Sequence, residues 1–204
     1  MAALHFHAGE LEQAREVGTR AAARAREVLG PEHPTSGLAL VSLASATAEL
    51  GRTAEAEQQF SQAVEILSTA LGPEHPAVAT PLSNLAAVLM LEGRWDEART
   101  LHERTLAICE SAYGPRSRRV GITLANLAAL ELELGRYSEA LPLQQRSLAA
   151  LEAARGPEHP EVGAALINLA DILLELGSPD EARKELERAR RIVETALGPA
   201  HASL

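Results

Sequence analysis

Aromatic residues are almost missing from this chain: its 204 residues include two Phe, two Tyr and one Trp. Sheets draw on aromatic and β-branched side chains, so composition excludes a β-sandwich. Cysteine occurs once, at Cys109, which rules out an intramolecular disulfide and a cysteine metal cluster. Lysine also occurs once, at Lys184, against eighteen arginines, a bias that points to a GC-rich, bacterial genome. No run approaches the roughly 20 apolar residues of a membrane span. The opening, MAALHFHAGELEQAR, lacks the basic and apolar regions of a secretory signal. Positive charge is in deficit, with a net charge of −9, so the molecule as a whole repels nucleic acid and anionic membranes. Neither is expected as a partner, and a reducing cytoplasm is the expected compartment.

What is present in quantity is alanine and leucine, about a third of the chain. Small and straight-chain residues favour helix, and the expected class is all-α. Self-similarity settles the organisation. The string LGPEHP starts at Leu29 and again at Leu71, with degraded forms at Tyr113, Arg155 and Leu197. Successive starts lie 42 residues apart. Gly9, Gly51, Gly93, Gly135 and Gly177 keep the same step, as do Ala14, Ala56, Ala98, Ala140 and Ala182. Three ladders in one register divide the chain into a partial repeat 1–28, repeats 29–70, 71–112, 113–154 and 155–196, and the start of another at 197–204.

Each period reads as two helices. In the unit 71–112, Gly72 can end one helix at positive φ and Pro73 forbids its continuation. Pro76 pushes His75 to an extended conformation and suits the first turn of the next helix. That helix, about 76–92, carries Leu82, Leu85, Ala86 and Leu89 as one stripe. Gly93 and Arg94 turn the chain, and a helix of about 95–112 places Ala98, Leu101, Thr105, Ile108 and Cys109 inward. Nine complete helices are expected, preceded by a residual turn ending at Gly9. The alternating run Leu130–Leu134 would read as a strand alone, but register assigns it to a helix end. Glu131 falls where Leu89 and Leu173 stand, a position that should face the partner helix; a neighbouring arginine or local repacking could account for it.

Leu40, Leu43, Ala44, Gly51, Ala56, Phe60 and Ala63 together resemble the tetratricopeptide repeat. The 42-residue period, the LGPEHP loop, the NLA segments, the GRW and GRY turns and Pro142 in EALPLQ resemble the kinesin-light-chain type of that family. The resemblance implies a right-handed α-solenoid of helix pairs whose first helices line a concave groove. Such grooves hold a peptide or a helix from a partner protein. Stacking is needed because no single pair can bury its apolar face.

The resemblance also maps a site. Ser42, Asn84, Asn126 and Asn168 recur where the family's asparagine points into the groove and bonds a ligand's backbone; a carboxamide both donates and accepts, as a peptide unit does. The same register adds Leu38, Thr80, Ile122 and Ala164, then Val41, Ser83, Ala125 and Ile167, then Ser45, Ala87, Ala129 and Asp171, then Met90, Leu132 and Leu174. No lysine or arginine occupies these places, so the basic clamp that grips a terminal carboxylate in related modules is missing. A neutral or apolar-anchored segment is the expected ligand. A basic cluster, Arg116, Arg118 and Arg119, replaces the usual residues of the third loop, either as drift in a solvated loop or as a rim for an acidic partner.

Other chemistry finds no support. His33, His75, His159 and His201 recur one per loop, too far apart to converge on a metal, and His5, His7 and His102 have no ligand spacing. Cys109 has no paired base. The run Glu181–Arg191 mixes charge signs as a solvated helix face does. Phosphate-binding and hydrolase motifs are absent, so no enzyme and no cofactor are expected. Two functional readings stay open: a scaffold that binds a peptide or partner protein, and a self-assembly module or piece of a longer array in a multidomain signalling protein. The second rests on apolar residues at the ends, Leu11, Val17 and Leu29 in the first helix and Leu186, Ile192, Val193 and Leu197 in the last. Uncovered, they would favour homo-oligomers.

Overall fold

The computed structural model describes the backbone of residues 2–197 and the side chains of residues 10–196. Nine helices fill this range: α1 (Ala2–Leu29), α2 (Pro34–Glu49), α3 (Thr53–Leu71), α4 (Pro76–Leu91), α5 (Trp95–Tyr113), α6 (Arg118–Glu133), α7 (Tyr137–Arg155), α8 (Pro160–Glu175) and α9 (Pro179–Leu197). From α2 onward a first helix of 16 residues alternates with a second of 19. Turns of three residues and loops of four complete the 42-residue period. The run Leu130–Leu134 is the end of α6 and its C-cap. The further repeat expected at 197–204, with His201 and the side chain of Leu197, lies outside the described residues, as do the side chains of His5 and His7.

The chain forms two compact units, Met1–Ile108 and Cys109–Leu204. In the first, α1 packs on α2, α2 on α3 and α3 on α4; in the second, α6 packs on α7, α7 on α8 and α8 on α9. Each unit is thus a run of helix pairs packed as in an α-solenoid.

The loops hold this spacing by local chemistry. Gly72 closes α3 at φ 99°, and Gly93 turns the chain after α4 at φ 75°, both in the left-handed region that glycine enters without a Cβ clash. After each first helix the chain returns a long backbone bond. Arg94 N donates to Leu89 O at 2.9 Å, Arg136 N to Glu131 O at 2.8 Å and Ser178 N to Leu173 O at 2.9 Å. This closure satisfies carbonyls that a helix end would otherwise leave bare. At the start of the next helix the loop histidines act as caps. His33, His75 and His159 accept through Nδ1 from the backbone N–H two residues on, each at 3.1 Å. In the third loop Ser117 takes over, its Oγ accepting from Val120 N at 3.4 Å.

Two expectations are corrected. Gly9 makes no turn: α1 runs unbroken from Ala2 to Leu29. A glycine inside a helix costs only about 1 kcal/mol, so helical hydrogen bonding runs on through it. At the other end Ile192 is not an outer residue. It is fully buried with Leu151, Val162, Ala165, Leu166 and Ala189, while Val193 is half-buried and Leu186 is exposed. On α1, Leu11 is half-buried and Val17 and Leu29 are exposed.

Small residues set the contacts within each pair. Ala128 and Ala140 share one buried cluster, and Ala170 and Ala182 another. Ala56 and Ala98, at the same register, are also fully buried. Polar side chains interrupt this core, the largest of them Glu131, Gln144 and His102. Glu131 is buried, and its Oε2 lies 3.7 Å from Arg136 Nη1, the residue whose N–H closes its own carbonyl. The neighbouring arginine is therefore the account of this position. Gln144 and His102 stand where Phe60 stands, and all three are buried. Gln144 Nε2 donates to Ala165 O at 2.7 Å, tying α7 to α8. His102 Nδ1 has no hydrogen-bond partner among the described residues, and burial pushes its pKa down to about 4.

Glycines at the equivalent places of α6 and α8 differ in room. A Cβ on Gly121 would meet Leu151 Cγ at 2.7 Å, whereas one on Gly163 would meet Ile192 Cγ2 at 3.4 Å. Gly121→Ala is expected to destabilise the chain by about 1–3 kcal/mol through overpacking. Gly163→Ala is expected to be neutral or stabilising by about 0.5–1 kcal/mol, since alanine is the better helix former. Urea denaturation of the two variants decides this.

His102 gives the chain a pH dependence. The folded chain holds it neutral down to about pH 4, while the unfolded chain takes up a proton near pH 6.5. Between these values the unfolded state binds more protons. Stability is therefore complete above pH 6.5 and falls as pH drops toward 4, by about 3 kcal/mol at most. His102→Phe should flatten that limb in urea titrations at pH 7, 6 and 5. An unchanged slope would place the titrating group elsewhere.

Candidate functional site

Helix rotation decides which residues remain outward. With Leu124, Leu127, Ala128 and Leu130 buried in the pair, α6 leaves Ile122, Ala125 and Asn126 on its other side. On α8, Leu166, Leu169, Ala170 and Leu173 are buried, and Ala164, Ile167, Asn168 and Asp171 are exposed. The second unit therefore presents an outward strip from both first helices.

Two cavities open on that strip. One of about 270 Å³ is lined by Ile122, Ala125 and Asn126 of α6, Ala164 and Asn168 of α8, and the facing Arg118 and Glu161, with Leu151 and Ala165 at its base. It brings together five of the groove residues mapped from the sequence: Ile122, Ala125, Asn126, Ala164 and Asn168. Asn126 is half-buried, and Asn168 is exposed and makes no hydrogen bond among the described residues. The second cavity, about 300 Å³, is lined by Leu132, Glu133, Tyr137, Asp171, Leu174 and Glu175. Asp171 belongs here. Ile167, 41% exposed, lines neither. Glu175 lies beside the Tyr137 hydroxyl and raises the phenol's pKa.

In the first unit a cavity of about 210 Å³ lies between α2 and α4, lined by Ser45, Ala48, Glu49, Asn84, Ala87, Val88 and Leu91 above buried Phe60. Asn84 Nδ2 donates to Ser45 Oγ at 3.4 Å, a long bond. Ser42 is exposed, and its Oγ donates at 3.4 Å to Leu38 O of its own helix; it lies outside this cavity. Ser83 is half-buried. Val41 is buried and lines none of these cavities.

The basic cluster is mostly engaged within the chain. Arg118 grips Glu161 with both ends of its guanidinium, Nε at 2.9 and 2.8 Å from the two carboxylate oxygens and Nη2 at 2.6 Å. Arg155 Nε lies 3.6 Å from the same carboxylate. Arg118 holds the Glu161 carboxyl below its usual range. Arg119 lies 5.2 Å above the Tyr113 ring, a cation–π contact. Arg116 is exposed, with no ion-pair partner among the described residues.

Tyr137, Glu133, Glu175 and Glu161 are lining residues that sequence reasoning did not single out. The signal for three of them was the same ladder read one turn further, where Glu49, Leu91, Glu133 and Glu175 share a register and Tyr137 follows Trp95. Cys109 is buried, and desolvation pushes its thiol pKa up, which suits packing. No described helix is long and apolar enough to cross a membrane.

Comparison with known proteins agrees with this architecture. The crystal structure of BtubC (BKLC) from P. vanneervenii superposes with a TM-score of 0.84 at 24% identity, covering 97% of this chain and 78% of that one. The putative kinesin light chain nearly identical TPR-like repeats of Podosopora anserina give 0.76 at 26% identity, covering 92% and 89%. Aspartyl phosphate phosphatase F from Bacillus subtilis shares the fold at 17% identity and a TM-score of 0.72, covering 81% and 42%. No curated protein matches the chain. The tetratricopeptide repeat family matches residues 1–69, 37–89, 77–153 and 123–195, nearly the whole length. With its helix pairs, glycine turns and buried alanines in that register, the chain belongs to the tetratricopeptide repeat family.

Proposed function

We propose that this chain is a non-enzymatic scaffold that binds a peptide or an extended segment of a partner protein on the outward face of its first helices. Tetratricopeptide repeats generally mediate protein–protein interactions, which sets the class. The observation that carries the finer reading is the cavity between α6 and α8. Two carboxamides, Asn126 and Asn168, stand over apolar walls from Ile122, Ala125 and Ala164. Apolar walls with a few polar groups are the ordinary make-up of a binding site. The walls hold an anchor side chain while the carboxamides meet the ligand's backbone. Arg118 adds no free cation, because Glu161 already holds it. A neutral or apolar anchor is thus the natural occupant, and a terminal carboxylate is not.

A second reading, self-association, draws support from α1, where Val17, Val28 and Leu29 are all exposed. Light scattering across dilutions separates the two. A monomer at every micromolar concentration leaves the scaffold reading alone.

The scaffold reading is tested by isolating a partner from the native host and replacing Asn84, Asn126 and Asn168 together by alanine. Each lost hydrogen bond costs about 0.5–1.5 kcal/mol net, so affinity should fall on the order of 10- to 1,000-fold. The melting temperature should fall only slightly: Asn168 is exposed, Asn84 makes one long bond, and the half-buried Asn126 accounts for what fall there is. Unchanged affinity would move the site elsewhere, and a large fall in melting temperature would make the asparagines structural.

A further inference from the structure

The second cavity of unit two differs in chemistry from the first. Its floor and walls include Leu132 and Leu174, the latter 49% exposed. Its rim carries three carboxylates, Glu133, Asp171 and Glu175, and no arginine or lysine lines it. Neither Glu133 nor Asp171 has an ion-pair partner among the described residues. The Glu175 carboxylate lies beside the Tyr137 hydroxyl. The corresponding cavity of the first unit has Leu91 and Ala87 at the equivalent places and keeps a single carboxylate, Glu49. The same groove position is thus apolar in one unit and strongly anionic in the other.

Resting on the scaffold reading above, we propose that this cavity takes an arginine side chain of the bound partner, so that the recognised segment pairs an apolar anchor with a basic residue. An arginine fits both halves of the cavity. Its aliphatic stem covers Leu132 and Leu174, while its planar fork reaches carboxylates on two helices at once. Charge-assisted, forked bonds to carboxylates are the strong kind. The spacing follows from the helices. Asn126 to Glu133 and Asn168 to Glu175 are each seven residues apart, about 10 Å along the axis at 1.5 Å per residue. An extended chain covers that in about three residues at roughly 3.3 Å each. The partner segment therefore carries its arginine about three positions from a Leu, Ile or Met seated against Ala125, between Asn126 and Asn168. An acidic segment is disfavoured twice, by these carboxylates and by the engagement of Arg118 with Glu161.

The test pans a phage-displayed library of random nonapeptides against the whole chain, against Glu133→Gln/Asp171→Asn, and against Asn126→Ala/Asn168→Ala. Circular dichroism checks that both variants keep their helix content. Peptides with an arginine about three residues from an aliphatic side chain should be enriched on the parent chain. The best of these, made synthetically, should bind the carboxylate variant about tenfold more weakly at low salt, and the gap should narrow as salt rises. Its counterpart with glutamine for the arginine should bind both proteins alike. Peptides enriched without any basic residue, yet lost on the asparagine variant, overturn the arginine subsite and keep the groove. An arginine preference that survives Glu133→Gln/Asp171→Asn also overturns it. Absence of any enriched peptide, or peptides indifferent to the asparagine changes, overturns the groove reading and this one with it.

Discussion

The close approach of two helices at alanine is the constraint on which this structure turns. Where Ala128 meets the Ala140 neighbourhood, and Ala170 that of Ala182, a larger side chain would push the pair apart. That contact fixes the rotation of each first helix about its axis. Once Leu124, Leu127 and Ala128 point inward, Ile122, Ala125 and Asn126 have nowhere to go but outward. The candidate binding strip is the remainder left by core packing, which is why its positions recur in the same register as the core.

Packing of this kind gives some buried polar groups a local partner and leaves others, such as His102 Nδ1 and Gln144 Oε1, without one among the described residues. Glu131 meets the side chain of the arginine whose backbone already closes its helix. Gln144 turns a buried carboxamide into a tether between α7 and α8. His102 has no such partner at Nδ1 and is held neutral by burial instead. The loops show similar economy. A histidine Nδ1 or a serine Oγ can each fill the cap, so the third loop keeps its geometry after losing its histidine and both of its flanking residues.

The sequence announced its helices because period, glycine and proline all spoke for the same boundaries. The pair 76–92 and 95–112 fell within a residue of α4 and α5. Gly9 misled because a glycine ends a helix only where packing rewards the turn, and no ladder of letters records that reward. The outward asparagines were legible from register, and two of them do share a cavity. The fate of Arg118 was not legible, since its partner Glu161 lies a whole repeat away and only the fold brings them to 2.6 Å. Ile192 was misplaced for a related reason: burial at the margins of a stripe depends on the neighbouring helix, which a single helix's period does not describe.

The constancy of the spacing has a consequence for how such a chain can change. Within each unit, helices pack against those next to them in the sequence. Adding or removing a whole 42-residue period leaves each kind of contact intact and alters only the number of copies. A one-residue insertion inside a helix does something quite different. It rotates everything beyond it by about 100° and carries the buried alanine out of its contact. Four loop starts after Leu29 keep the step without a single slip. Length changes of this chain are thereby quantised: whole repeats can be gained or lost, and single residues can be tolerated only in the loops.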